Sequence, residues 1–375
     1  MNKLDKKELE RRKEILYNWW WDMSFKQKRY IKIGDRKSYP LKGIILDSKD
    51  EILLKDNIPL FSHIQIQTIQ FCNLKCSFCP NHYMIWDRID NKKRGIPYNS
   101  MSFKNYEKIM INLKELGYKG RVSPYLMNES LVDKDRIVEF IKITRKYLPQ
   151  SEIVINTNAT FLNKKILIDM IEAGLNRLCI DDYFGEKNRE NLTRLLVSVC
   201  ESTNYEKWPY EGMCEVELAG MIPNLKQIKS PTTDKENNII RNERGNPIAT
   251  DEKMIFPYTY WNRGGLLNLN SDIQVPQKDC NYPSKQMFIN WKGDSLLCCC
   301  DWEEMVIMGN IIEDNIEKVW TNDKFQHYRS TLKKGERKKL KLCENCNYKG
   351  CENEDDRTIY DKLDVVVKTT GLFKG

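Results

Sequence analysis

Residues 63–70, HIQIQTIQ, alternate apolar and polar positions, with Ile64, Ile66 and Thr68 on one side. A period of two predicts a half-buried strand that runs up to Cys72. The period then lengthens: across residues 103–116, Tyr106, Ile109, Met110, Leu113 and Leu116 share one helical face, and Gly117 sits where a C′ residue would end it. The same exchange recurs down the chain. Strand RVSPYLM leads to helix KDRIVEFIKITRKYL, EIVIN to NKKILIDMIEAG and RLCID to KNRENLTRLLVSVC, with CEVELAG as a further strand. Five successive β–α units predict a parallel sheet, closed or partly closed into a barrel, with its site built by loops at the C-terminal ends of the strands.

A chain of 375 residues holds a barrel-sized core plus a smaller unit. The expected segments are a partly helical N-terminal extension over 1–61, the barrel over 62–270, a cysteine-rich unit over 271–352 and a tail over 353–375. No run of eighteen apolar residues occurs and the N-terminus is charged, so neither a membrane span nor a secretory peptide is predicted, and the cytoplasm is the expected location. The first forty residues carry twelve Lys/Arg against six Asp/Glu, which reads as a solvated face, with an anionic partner as the alternative. The chain has 13 cysteines, unevenly placed: three at 72–79, none again until Cys179, and seven from Cys280 to Cys351. In a reducing compartment such clusters point to metal or redox chemistry rather than disulfides.

The first cluster, FCNLKCSFCP, begins where the first strand stops, in a long loop from Gln70 to about Ser102. Three thiolates can hold three irons of a [4Fe–4S] cluster and leave the fourth open to an outside ligand. A zinc knuckle completed by His82 is the alternative. Cys72, Cys76, Phe78 and Cys79 resemble the Cys-x3-Cys-x2-Cys signature of the radical S-adenosylmethionine (SAM) superfamily, with its aromatic residue before the last cysteine. That resemblance implies a partial (β/α)6 TIM-like barrel, of α/β class, and a SAM-binding [4Fe–4S] cluster. It also implies cleavage of SAM to a 5′-deoxyadenosyl radical. Within it, Asn128 and Glu129 of YLMNES stand for the Gly-Glu motif that handles the SAM ammonium, without its glycine. Asn156 and Asn158 of NTNATFL resemble the Thr-Asn-Gly segment near the SAM ribose and carboxylate; a strand-ending turn is the alternative. Asp181 or Asp182 of CIDDY is a candidate for ribose or substrate, or a helix cap.

The second cluster places Cys280, then Gly293-x4-Cys298, and after the helix-like NIEKVWTNDKFQHYRSTL the pair Cys343 and Cys346. Four thiolates from a hairpin and a CxxC loop suit a closed cluster or zinc. The order of Cys, Gly-x4-Cys, MGN, a Trp-bearing helix and CxxC resembles the C-terminal SPASM/Twitch domains of radical SAM enzymes, and implies one auxiliary [4Fe–4S] cluster. Cys351 follows without a partner. Cys179, Cys200 and Cys214 read as packed thiols. Cys299 and Cys300 flank a cluster ligand, and one of them is a candidate hydrogen donor to a substrate radical. Arg263 of YWNRGGLLNLN, before two glycines, is a candidate contact to substrate or SAM; a supported turn is the alternative. Residues 225–256 read as an insertion or lid, Trp19–Trp21 as a helix face and LKKGERKKLKL as a solvated basic connector.

The resemblance to radical SAM enzymes with a SPASM/Twitch domain implies hydrogen abstraction from a natural-product intermediate, a polyol, aminocyclitol or sugar, giving oxidation or epimerisation. Modification of a ribosomally made peptide is the alternative. A flavodoxin- or ferredoxin-type electron donor is the implied partner, and neither a membrane nor a nucleic acid is expected.

Overall fold

The computed structural model describes residues 29–33, 52–74, 79–80, 99–181, 191–192, 194–195, 198–199, 214–219, 264 and 279–348. In chain order the elements that build the sheet are β1 (Arg29–Ile33), β2 (His63–Ile66), α1 (Phe103–Glu115), β3 (Arg121–Ser123), α2 (Lys134–Tyr147) and β4 (Val154–Thr157). There follow α3 (Lys164–Glu172), β5 (Arg177–Asp181) and β6 (Cys214–Ala219), and then α4 (Tyr282–Lys285), β7 (Gln286–Ile289), β8 (Asp294–Leu296), β9 (Ile307–Asn310), α5 (Ile316–Trp320) and α6 (Asp323–Lys333).

The local signals produce these elements directly. Ser102 caps α1 by accepting from Asn105 N at 3.1 Å, and Asn163 caps α3 by accepting from Ile166 N at 3.0 Å. Helix α1 buries Tyr106, Ile109, Met110 and Leu113, the stripe its periodicity announced, and Gly117 ends it at φ 68°. Burying each such side chain contributes roughly 1.5–3 kcal/mol. Ile64 and Ile66 of β2 are likewise inaccessible to solvent. The strand expected over RVSPYLM stops at Ser123. Pro124 has no N–H to continue the ladder, and the rest of the segment turns into the site.

Strands β2 and β3 pair in parallel, as do β4 with β5 and β5 with β6, and a parallel bridge from Val122 to Ile153 joins β3 to β4. Five parallel strands therefore lie side by side in sequence order, which is the partial barrel. Both edges of that sheet are covered. β1, from the segment expected as an extension, pairs antiparallel with β6, while β7 pairs in parallel with β2 and continues into the antiparallel β7–β8–β9 ladder. The C-terminal unit thus grows from the first barrel strand. One core spans the join: Phe61, Ile64 and Tyr106 pack in the same cluster as Met287, Trp320 and Phe325. Trp320 Nε1 also donates to Pro59 O at 2.9 Å.

Because the five strands are parallel, all their N-termini face one way. At that pole Glu152 pairs with Arg121 at 2.8 Å and with Arg177 at 3.0 Å, closing the floor. The opposite pole carries the loops that sequence reasoning assigned to chemistry.

Candidate active site

Glu129 organises the mouth. Its carboxylate accepts from Leu131 N at 3.0 Å, Thr157 Oγ1 at 2.6 Å and Asn158 N at 2.8 Å, and its own N–H donates to Phe71 O at 3.0 Å. Burial pushes the Glu129 acid upward in pKa, and the donors from Asn158, Thr157 and Leu131 oppose that. The carboxylate is therefore a buttress that ties the β3 loop to the end of β4. Asn158 extends the tie, donating from Nδ2 to Asn73 Oδ1 at 3.0 Å, and Asn73 lies between the first two cysteines of the loop. Asn156 accepts from Ser130 Oγ through its carbonyl at 3.2 Å. Asp181 ends β5 opposite Ala219 and is partly accessible.

Asn128 differs from its neighbour. Its Oδ1 accepts from Leu126 N at 3.1 Å, which fixes the amide orientation, and its buried Nδ2 has no partner among the described residues. A buried, unsatisfied donor costs about 1–3 kcal/mol unless something accepts from it. It suits a carboxylate or carbonyl oxygen of a ligand, not an ammonium. Gln67, at the end of β2, is a residue that sequence reasoning missed: it is 3% exposed and its Oε1 has no partner among the described residues. Its only sequence signal is a polar side chain at the C-terminal end of a barrel strand.

Cys72 and Cys79 of the first trio are partly buried. Cys76, Phe78, Asp182 and Arg263 lie outside the described residues, as do His82, Cys200, Cys351, Trp19–Trp21 and residues 225–256. Gly264, next to Arg263, has φ 71°, and a Cβ there would come within 2.7 Å of Leu342 Cδ1 and 3.4 Å of Cys300 O. Only glycine fits that approach without strain.

In the C-terminal unit, Gly293 (φ 96°) closes the β7–β8 turn and delivers the chain to Cys298. The thiols of Cys298, Cys299 and Cys300 lie within 4.8 Å of one another. The Cys346 thiol is hydrogen-bonded to Cys300, and Cys343 senses Cys346, Cys280 and Cys300. Cys343 thus neighbours Cys280, Cys346 and Cys300, and Cys300, which is 2% exposed, links both Cys346 and Cys298. Cys299, a hydrogen-bond partner of Cys298, also packs against the small core of Leu126, Met127, Phe288, Leu296 and Trp302, on which Cys79 packs as well. Hydrogen bonding to neighbouring thiols, then burial, pushes Cys298 and Cys346 up, and burial with the adjacent thiols does the same to Cys343. Thiolates so crowded are tolerable only around positive charge. A metal–sulfur core supplies that charge, so the donor set fits an iron–sulfur cluster.

Residues 66–181 match the sequence profile of the radical SAM superfamily, and residues 280–347 that of SPASM, an iron–sulfur cluster-binding domain. Among curated proteins, the chain is 27% identical over 296 residues to an S-adenosyl-L-methionine-dependent 2-deoxy-scyllo-inosamine dehydrogenase of Niallia circulans, covering 79% of this chain and 96% of that one. Among solved structures, it is similar to the crystal structure of BtrN in complex with AdoMet and 2-DOIA, at TM-score 0.52 and 26% identity over 78% of this chain and 94% of that one. No described helix is long and apolar enough to cross a membrane. With a parallel barrel, a thiol loop after its first strand and a second thiol nest beyond its last, this chain belongs to the radical SAM superfamily, carries a C-terminal SPASM domain, and has SAM, a SAM-binding [4Fe–4S] cluster and an auxiliary iron–sulfur cluster as its cofactors.

Proposed function

We propose that the protein is an oxidoreductase that oxidises an alcohol carbon of a small polyol, of the aminocyclitol class named in its Niallia circulans relative, taking a hydrogen atom from that carbon and then a proton from its hydroxyl and one electron. One observation carries this: Cys79 and Cys299, one from each thiol site, pack on the same five-residue core. Oxidation by hydrogen-atom loss needs an acceptor for the remaining electron, and that acceptor must stand close to the substrate. When bound, SAM and the two clusters supply hydrogen abstraction from an unactivated carbon and a sink for that electron.

The chain's own residues position and seal. Cys72, Cys76 and Cys79 would hold the SAM-binding cluster. Cys280, Cys298, Cys343 and Cys346 would hold the auxiliary one, with Cys300 beside Cys346 as a competing ligand. Glu129, Thr157, Asn158 and Asn73 hold the loop against the ends of β3 and β4. Asn128 Nδ2 donates to an acceptor on SAM or substrate. Leu126, Met127, Phe288 and Leu296 keep water from the space between the two thiol sites. Arg263 is the proposed contact to substrate or SAM, and Asp181 to ribose or substrate. An electron carrier of flavodoxin or ferredoxin type is the proposed reductant.

A second outcome has its own observation, since Cys299 is a partly buried thiol on the same small core as Cys79 and can return hydrogen to the substrate, giving an epimer. Anaerobic protein supplied with SAM, reductant and an aminocyclitol in deuterated water separates the two. Oxidation yields a product lighter by two hydrogens, one for each deoxyadenosine formed. Epimerisation keeps the skeleton mass and incorporates deuterium. Turnover of a peptide with none of any polyol would sink the substrate class.

A further inference from the structure

The run LKKGERKKLKL, read from sequence as a solvated connector, contains one cation that is not solvated. Lys333, Lys334, Lys338, Lys339 and Lys341 are exposed, whereas Arg337 is 2% exposed. Its guanidinium reaches two backbone carbonyls on separate segments. NH1 donates to Tyr348 O, and NH2 donates to Asp279 O at 3.1 Å. Asp279 directly precedes Cys280, and Tyr348 lies two residues after Cys346. One planar fork therefore joins the first and last cysteine segments of the nest. A second tie runs parallel to it: the Tyr282 and Tyr348 rings stack at 4.7 Å and their hydroxyls hydrogen-bond at 2.9 Å.

The same side chain contributes charge. Burying a guanidinium costs several kcal/mol unless hydrogen bonds and opposite charge compensate it. The two carbonyls supply part of that compensation as hydrogen bonds. The bonds of Arg337 to Asp279 O and Tyr348 O set the guanidinium beside the Cys280 and Cys346 segments. A cluster held by four thiolates carries net negative charge and gains one more on reduction. A buried cation beside it stabilises the reduced form more than the oxidised one, and so raises the reduction potential.

We propose that Arg337 is the positioning residue of the auxiliary site, fixing the spacing of the Cys280 and Cys346 segments and raising the potential of the cluster they hold. The inference rests on the assignment of Cys280, Cys298, Cys343 and Cys346 as ligands. In the proposed oxidation this residue would set how readily the auxiliary site accepts the substrate's electron.

The test uses the full chain with Cys72, Cys76 and Cys79 replaced by alanine, reconstituted anaerobically so that only the C-terminal site holds iron. Arg337→Met should shift the midpoint potential, followed by electron paramagnetic resonance during a reductive titration, to more negative values. The expected change is about tenfold in the reduction equilibrium, or about 59 mV for one electron. Arg337→Lys keeps the charge but cannot bridge two carbonyls, so it should hold the parent potential while losing iron to a chelator several-fold faster. Arg337→Met at the parent potential would overturn the proposal. Should that variant fail to fold, Arg337→Lys decides it: faster iron loss supports the bridge, and unchanged loss refutes it. A parent protein that binds no iron at this site would overturn the ligand assignment, and the role of Arg337 with it.

Discussion

Glu129 and Glu152 are acidic side chains of the same barrel, taken out of solvent at opposite poles, and their surroundings move them in opposite directions. At the floor, burial would raise Glu152, but Arg121 and Arg177 hold it below the ordinary glutamate value. At the mouth, burial raises Glu129 and only neutral donors oppose it. The floor has therefore neutralised its charge internally. At the mouth, Asn128 Nδ2 and Gln67 Oε1 have no partner among the described residues. The difference separates a pole built for stability from one built to receive ligands.

The largest test breaks the mouth. Cys79→Ala should abolish deoxyadenosine formation, while Cys343→Ala should leave uncoupled SAM cleavage and lose the oxidised product, both followed by chromatography of the nucleoside. Breaking the floor comes next. Glu152→Ala leaves Arg177 buried without its anion and should destabilise the fold by about 3 kcal/mol, the low end for a broken buried pair because Arg121 is 35% exposed. Denaturant midpoints measure that loss, and activity per folded molecule should be unchanged. Asn128→Ala should do the converse, raising the KM for SAM or substrate about three- to tenfold with the midpoint nearly unmoved.

The acid limb sharpens the contrast. Because the folded pKa of Glu152 is lowered, its contribution is present above its unfolded pKa and is lost as pH falls through the folded value. Glu152→Gln should accordingly flatten the fall of stability in acid. Glu129 has the opposite sign: its raised pKa costs stability at neutral pH, and that cost is relieved as pH falls through the folded value. Glu129→Gln should therefore not flatten the acid limb. The smallest effect belongs to Ala159, buried just past β4 at φ 58°. Ala159→Gly should stabilise by no more than about 1 kcal/mol, since relief of left-handed strain is partly offset by the freer unfolded chain.

Local periodicity made most of the barrel legible. The stripe of α1, its Gly117 stop, the span of β5 and the β–α alternation are short-range patterns that each segment carries alone. The sheet edges were not legible. β1 lies in a segment with no clean alternation, and its pairing with β6 joins residues some 185 apart, which no local window detects. Among the site candidates, Glu129 and Asn158 were named from sequence, but their contacts as buttresses reach across the mouth and no local pattern shows them. Asn128 was the weaker candidate without the family's glycine, and it holds the open donor.

The sequence alone determined the class of chemistry, because three cysteines at fixed spacing after a strand and a CxxC at the far end of the chain are covalent facts that folding cannot alter. Tertiary structure decided which thiols meet, placing Cys300 against Cys346 and setting Cys299 on the small core that Cys79 also touches. It also decided which cation in a basic run is buried. Arg337 and Lys338 are neighbours in sequence and alike in charge, yet only the guanidinium has a planar fork able to satisfy two carbonyls at once. Burial of a charge depends on partners brought from elsewhere in the chain, so its physical origin is the fold.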